Sequence, residues 1–207
     1  MKYEKVIIAR IVCISVILVN AQTKVNWGLE LGLGMSTWMG DGSDGAKAMF
    51  NPNVGVKLDI PLTGLVSFQT GLTYASKGVK SKKVDGVRAY INQNYLEMPL
   101  LAAFHLGTGK NFDVVLAAGP YLACGVGGKV EVESNDVTVS WSTFKSVDDQ
   151  TEMYWKGLRR FDAGIRLGGG LDFDHWQVGL NGEFGLCRVV EKGPRNLTIF
   201  ATVGFKF

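Results

Sequence analysis

Cysteine, histidine and proline are scarce in this chain, and each scarcity excludes something. Three cysteines in 207 residues cannot build the disulfide framework of a small secreted domain. Two histidines, His105 and His175, stand apart from each other and from any cysteine at metal-ligand spacing. No metal or other cofactor is therefore expected. Charge of one sign is also lacking. Lysine and arginine total 22 against 19 acidic residues, which is too balanced for a nucleic-acid binder. No apolar run in the body of the chain approaches the about 20 residues of a membrane-spanning helix. Gly168-Gly169-Gly170 has no helix after it to make a phosphate cradle.

The N-terminus is a positive start followed by a short apolar run. Lys2, Lys5 and Arg10 precede Ile11–Val19, and Val19-Asn20-Ala21 ends the run with a small residue at its last position. The pattern reads as a secretory signal peptide over 1–21, cleaved after Ala21. Residues 22–207 are then one exported domain.

Glycine is abundant, at 27 residues, and from Trp27 onward the apolar period is two. Leu29, Leu31, Leu33 and Met35 alternate with Glu30, Gly32, Gly34 and Ser36. The alternation predicts eight strands, over 26–37, 52–61, 65–77, 93–106, 111–126, 161–173, 176–188 and 196–207. Each is long enough for a tilted strand to cross a bilayer. Their connections alternate between short turns (61–64, 107–110, 174–175) and longer stretches (38–51, 78–92, 127–160, 189–195). The expected fold is thus all-β: an eight-stranded antiparallel up-and-down transmembrane β-barrel with short periplasmic turns and longer extracellular loops. Aromatics at strand ends suit the two interfacial girdles. Trp27, Phe104, Phe112, Phe173, Trp176 and Phe207 fall at one end, and Trp38, Tyr74 and Phe161 at the other. The alternative is a soluble lipocalin-like barrel with its apolar set inside. A narrow lumen favours glycine inside and large apolar residues outside.

Four segments resemble a known family, the PorT-like outer-membrane β-barrel proteins. They are Gly71-Leu72-Thr73-Tyr74-Ala75-Ser76-Lys77-Gly78, Asn94-Tyr95-Leu96-Glu97-Met98-Pro99-Leu100-Leu101, Ala117-Ala118-Gly119-Pro120-Tyr121-Leu122 and the tail Val203-Gly204-Phe205-Lys206-Phe207. The resemblance spans essentially the whole mature chain. It implies an outer-membrane barrel whose last strand, ending at Phe207, is read by the barrel-assembly machinery. One member of that family serves protein secretion across the outer membrane, which makes a secretion-system component the alternative function.

Pro99 and Pro120 fall inside expected strands, where each removes a ladder donor, so a bulge or kink is expected there. The inward parity collects Glu30, Lys57, Glu97, Arg166 and Glu183, with Arg166 expected beside Asn181. Such a set serves either as a narrow ion path or as a plug of paired charges. Eight strands favour the plug. Catalysis is not expected: a rim site using Asp148, Asp149 or Asp162 would lack a histidine. Two surface features remain. Lys80, Lys82, Lys83 and Arg88 could meet lipid phosphates or simply be solvated. The stretch 127–160 carries Trp141, Phe144, Met153, Tyr154 and Trp155, and 129–141 alternates as a hairpin would. Its aromatics suit a protein partner or a self-packed cap over the barrel mouth. Function is expected in a structural or interaction role through these loops, beside outer-membrane lipid.

Overall fold

The computed structural model describes residues 25–84, 86–109, 111–134, 137–148 and 154–207. The expected signal peptide, 1–21, lies outside the described residues, as do Asp149 and Met153. The strands are β1 (Asn26–Met39), β2 (Ala46–Pro61), β3 (Val66–Ser81), β4 (Val87–Pro99), β5 (Leu101–Gly107), β6 (Asp113–Gly127), β7 (Lys129–Ser134), β8 (Val137–Ser142), β9 (Val147–Asp148), β10 (Tyr154–Trp155), β11 (Phe161–Asp172), β12 (Trp176–Arg188) and β13 (Arg195–Lys206).

β4 and β5 are two halves of one wall strand. Both lie between β3 and β6, and β6 pairs onward with β11. The ring runs β1-β2-β3-β4/β5-β6-β11-β12-β13 and closes where β13 pairs β1, from Gly28↔Lys206 to Met39↔Arg195. Every pairing is antiparallel, so the wall is a closed eight-stranded barrel without an open edge.

The apolar set is on the outside. On β1, Leu31 is 62% exposed while Gly32 is buried, and the same alternation marks β11, β12 and β13. Leu116, Leu167, Leu180, Ile199 and Val203 all face outward. A belt of that extent is unsuited to water and is what contact with lipid requires. The lipocalin-like alternative, with these residues inside, is thereby corrected. Trp27 stacks on Phe207 (centroids 4.4 Å apart), Trp176 meets Phe205 (5.0 Å) and Phe112 meets Phe173 (5.9 Å), which forms the girdle at the short-turn end. At the other end Tyr74 and Phe161 face outward. Trp38 departs from the expected girdle: it packs against the buried cluster of Tyr95, Tyr121 and Phe144.

The wall strands also run further than expected. β2 begins at Ala46, β3 reaches Ser81 and β4 begins at Val87, so most of 38–51 and 78–92 is strand rather than loop. The ladder continues past the membrane, where the apolar alternation that reveals strands has stopped. β7 and β8 form the expected hairpin and extend the sheet from β4, with Ile91↔Val130 and Val130↔Trp141.

The prolines bring no bulge; the wall strand is instead interrupted at Leu100. The pairs Thr73↔Glu97 and Gln69↔Leu101 keep one register across the break at Leu100, as do Pro99↔Tyr121 and Ala102↔Ala118. Leu100 N still donates to Pro120 O at 2.9 Å. The wall omits a rung and does not slip. The bulges lie elsewhere, at Asn94/Tyr95 against β6, between Ala48 and Asn53 against β3, and between Phe184 and Arg188 against β13. At the one against β3, Ser36 Oγ fills the gap: it accepts from Gly78 N at 2.6 Å and donates to Gly78 O at 2.8 Å.

Cys124 and Cys187 are both free. They stand on β6 and β12, which β11 separates. Two strand spacings put their Cα atoms about 9–10 Å apart, beyond the about 7 Å a disulfide allows. Mass spectrometry of the exported protein should find two free thiols. A Cys124–Cys187 bridge would overturn this strand order.

Candidate functional site

In the extracellular half of the lumen, inward positions on four wall strands bring ionised groups together. Lys77 comes from β3, Glu97 from β4, Asp162 and Arg166 from β11, and Glu183 from β12. None is more than 5% exposed. Lys77 Nζ lies 2.8 Å from Glu97 Oε2, 2.9 Å from Glu183 Oε2 and 3.6 Å from Asp162 Oδ2. Arg166 Nε donates to Glu183 Oε1 at 2.8 Å, and its Nη2 pairs with both Glu97 and Glu183. Each glutamate therefore bridges the same two cations. Asp162 Oδ2 also accepts from Asn196 Nδ2 at 3.1 Å and Tyr121 OH at 3.3 Å. Aromatic faces complete the shell. Lys77 Nζ sits 4.2 Å from the Tyr121 ring centre, and the Arg166 guanidinium 5.2 Å from that of Phe200. Charges taken from water at this depth persist only when closely paired, and this cluster pairs each cation with at least two carboxylates.

Three of the five expected lumen charges meet here: Glu97, Arg166 and Glu183. Glu30 and Lys57 do not join them. They line a cavity of about 60 Å³ beneath Arg166, and Lys57 Nζ donates to Gln177 Oε1 at 3.0 Å. Arg166 stands opposite Glu183, not Asn181, which pairs with Gly168. Lys77, the hub, was missing from the expected set. It lies where the third strand was expected to end, although the period from Thr73 through Ala75 already pointed it inward.

The short-turn end of the lumen is also polar. Gln177 Nε2 donates to Asp172 Oδ2 at 2.8 Å, and Lys206 pairs with Asp172. Ser67 Oγ and Asp59 Oδ2 both approach the same nitrogen of His105, Nε2, at 2.8 and 3.5 Å. Sharing one nitrogen is a structural bond and not a catalytic relay, which uses opposite nitrogens of the ring. Asp162, considered above for a rim site, is committed to the ion cluster.

The other end is apolar. Phe144, only 8% exposed, sets its ring edge on Tyr95 at 5.7 Å beside Leu158 and Ala123. Of the two readings of this stretch, Phe144 follows the self-packed cap over the barrel mouth and is not available to a partner. Trp141 and Trp155 meet edge to face at 6.0 Å; both are half-buried, and Trp155 packs against the same cluster. The side chain of Tyr154 lies outside the described residues. Of the basic group, Lys82 and Lys83 are exposed at the β3–β4 turn, and Lys80 lies opposite Lys47. Arg88 Nη1 donates to Tyr90 OH at 3.3 Å, with Glu133 opposite Arg88 on β7. Lys80 also stands opposite Tyr90 on β4, so Lys80 and Arg88 meet at the same tyrosine.

A closed eight-stranded wall with an apolar belt, aromatic girdle and charge-filled lumen defines a small outer-membrane β-barrel. The model of the family described as outer membrane protein beta-barrel domain matches residues 20–191, and the chain belongs to that family. Solved structures of similar form include Ail, the attachment invasion locus protein of Yersinia pestis, at 12% identity and TM-score 0.46, over 89% of this chain and 99% of that one. Neisserial surface protein A is similar at 10% identity and TM-score 0.46, over 89% and 99%. The N-terminal β-barrel domain of Pseudomonas aeruginosa OprF is similar at 16% identity and TM-score 0.33, over 87% and 97%. No curated protein matches the sequence.

Proposed function

We infer that this protein is a non-catalytic, PorT-like member of its family that captures a protein partner above the outer membrane. In this reading residues 1–21 direct export, and the last strand, ending at Phe207, engages the barrel-assembly machinery. The lumen charges act as a plug that stiffens the wall, which leaves the extracellular sheet as the working surface. Lys82 and Lys83 are free to meet lipid phosphates beside it.

The observation that carries the reading is the β7–β8 hairpin. It prolongs β4 beyond the lipid belt, and it holds Val137 and Val139 62% and 46% exposed in a region with no bilayer to cover them. Exposed β-branched residues beside the half-buried Trp141 suit a protein interface. Replacing 131–141 with a short Gly/Ser turn spares Phe144 and Leu158, which cap the barrel. The shortened protein should still shift on a gel when boiled, as folded barrels do, and should lose crosslinked partner from intact cells. Undiminished capture would place the interface elsewhere, most directly at the basic β3–β4 turn.

A further inference from the structure

We propose that the outer wall between β4 and β7 binds the sugar–phosphate headgroup of a glycolipid in the outer leaflet. The polarity of the wall changes abruptly at this height. Outward positions on β4 read Met98 and Leu96, both exposed and apolar, then Asn94, Asn92 and Tyr90. On β3 the pair Tyr74↔Leu96 is followed at once by Ser76↔Asn94. On β6, exposed Leu122, Cys124 and Val126 give way to Lys129, Glu131 and Glu133 of β7. The hydrocarbon must end on this line, and lipid headgroups begin there.

A groove of about 470 Å³ opens on the same line, lined by Tyr90, Asn92, Asn94, Lys129, Glu131 and Glu133 among others. It lies on the outside of the sheet, because Val130, the neighbour of Lys129 and Glu131 on β7, is buried on the inner face. Its volume is within the range of small-molecule sites. The side chains of Asn94, Lys129 and Glu131 make no hydrogen bond or ion pair among the described residues. Asn92 uses only its oxygens, its side-chain Oδ1 accepting from Ser76 at 3.3 Å and its carbonyl from Thr143 at 2.6 Å.

Unused amides and a carboxylate offer alternating donors and acceptors, which the adjacent hydroxyls of a sugar ring can satisfy. Tyr90 offers an apolar face and a polar tip. Lys129 supplies one compact positive charge for a phosphate. A bare phosphate would gain less, since it would leave the amides and Glu131 unused; Glu133 stands opposite Arg88 and adds little repulsion. The groove is continuous with the lipid-facing wall below, so the acyl chains of the same molecule can lie over Leu96, Cys124 and Val126. That continuity selects a membrane-anchored glycolipid over a free saccharide.

The test uses full-length mature protein in phosphatidylcholine nanodiscs containing lipopolysaccharide, with retained glycolipid counted by native mass spectrometry. Asn94→Leu/Glu131→Leu should weaken retention about tenfold, equivalent to about 1.4 kcal/mol, while Lys192→Ala, on the exposed turn between β12 and β13, leaves it unchanged. Asn94 lies outside the β7–β8 hairpin, so Asn94→Leu alone separates this site from partner capture. A photo-crosslinking residue in place of Lys129 should label lipopolysaccharide, and one in place of Glu191, on the exposed turn between β12 and β13, should not. Three results would each overturn the proposal: unchanged retention in the groove variant with equal labelling at both positions, equal displacement by phosphatidylglycerol, or equally tight binding of soluble core oligosaccharide.

Discussion

Replacing Lys77 by leucine should lower the urea midpoint of the refolded barrel more than any other single change in its lumen. Lys77 is 1% exposed and contacts Glu97, Glu183 and Asp162 at once. Without it, Arg166 alone faces three buried carboxylates. Removing one partner of a buried ion pair costs about 3–5 kcal/mol, because the remaining charge keeps its desolvation penalty. With a urea dependence of about 1–3 kcal/mol per molar, the midpoint should fall by at least about 1 M. Arg166→Leu should act in the same direction by a smaller amount. Arg166 borders the 60 Å³ cavity, which has room for a few waters, and Lys77 would still bridge both glutamates. Adding Glu97→Gln to Lys77→Leu should restore part of the loss, because it removes one of the stranded charges. The coupling of the two changes is then favourable and measurable in a double-mutant cycle. A Lys77→Leu midpoint within error of the wild type would mean that the group is solvated and that the lumen is an ion path, not a plug.

Gly34→Leu should nearly abolish the heat-modifiable form. Gly34 pairs with Phe200 across the seam between β1 and β13. A Cβ at position 34 would strike the Ile199 carbonyl oxygen and lie 2.6 Å from Phe200 Cα. These are backbone atoms in a closed ring, so relief would require the two strands to part. Overpacking an ordinary core costs about 1–3 kcal/mol. A clash with backbone at the closing seam should exceed that and shift most of the protein to the unfolded band. Gly64→Ala is the matched control. Nothing lies within 4 Å of a Cβ there, so assembly should proceed unchanged. Normal assembly of Gly34→Leu would mean that β1 and β13 are not packed as described.

The wall was legible in the sequence because a bilayer imposes one simple rule on it. Every second residue between Trp27 and Met35 meets lipid, so apolar identity alone reports orientation. Above the membrane that rule lapses. Lys47, Lys80 and Arg88 sit in regular strands, yet their polarity reads as loop. The lumen was partly legible for the same reason. Parity pointed Glu97, Arg166 and Glu183 inward, but their pairing depends on stagger between strands, which no local pattern encodes. Arg166 therefore fell opposite Glu183 and not beside Asn181, and Lys77 was lost at a misplaced strand end. Phe144 stayed open between two readings because a long connection with aromatics looks alike in sequence whether it projects outward or folds back over Tyr95.

The closure of β1 on β13 carries a consequence in time. Their partners are separated by most of the chain, from Gly28 with Lys206 to Met39 with Arg195. Long-range pairings of this kind form slowly. Until they form, β1 and β13 are both open edges carrying exposed leucines, isoleucine, valine and phenylalanine, the combination most prone to unwanted strand addition. The finished protein has no such edge in its wall. Its vulnerability to aggregation is therefore confined to the interval between emergence of Asn26 and arrival of Lys206, and a helper that holds the first strand during that interval would protect the whole molecule.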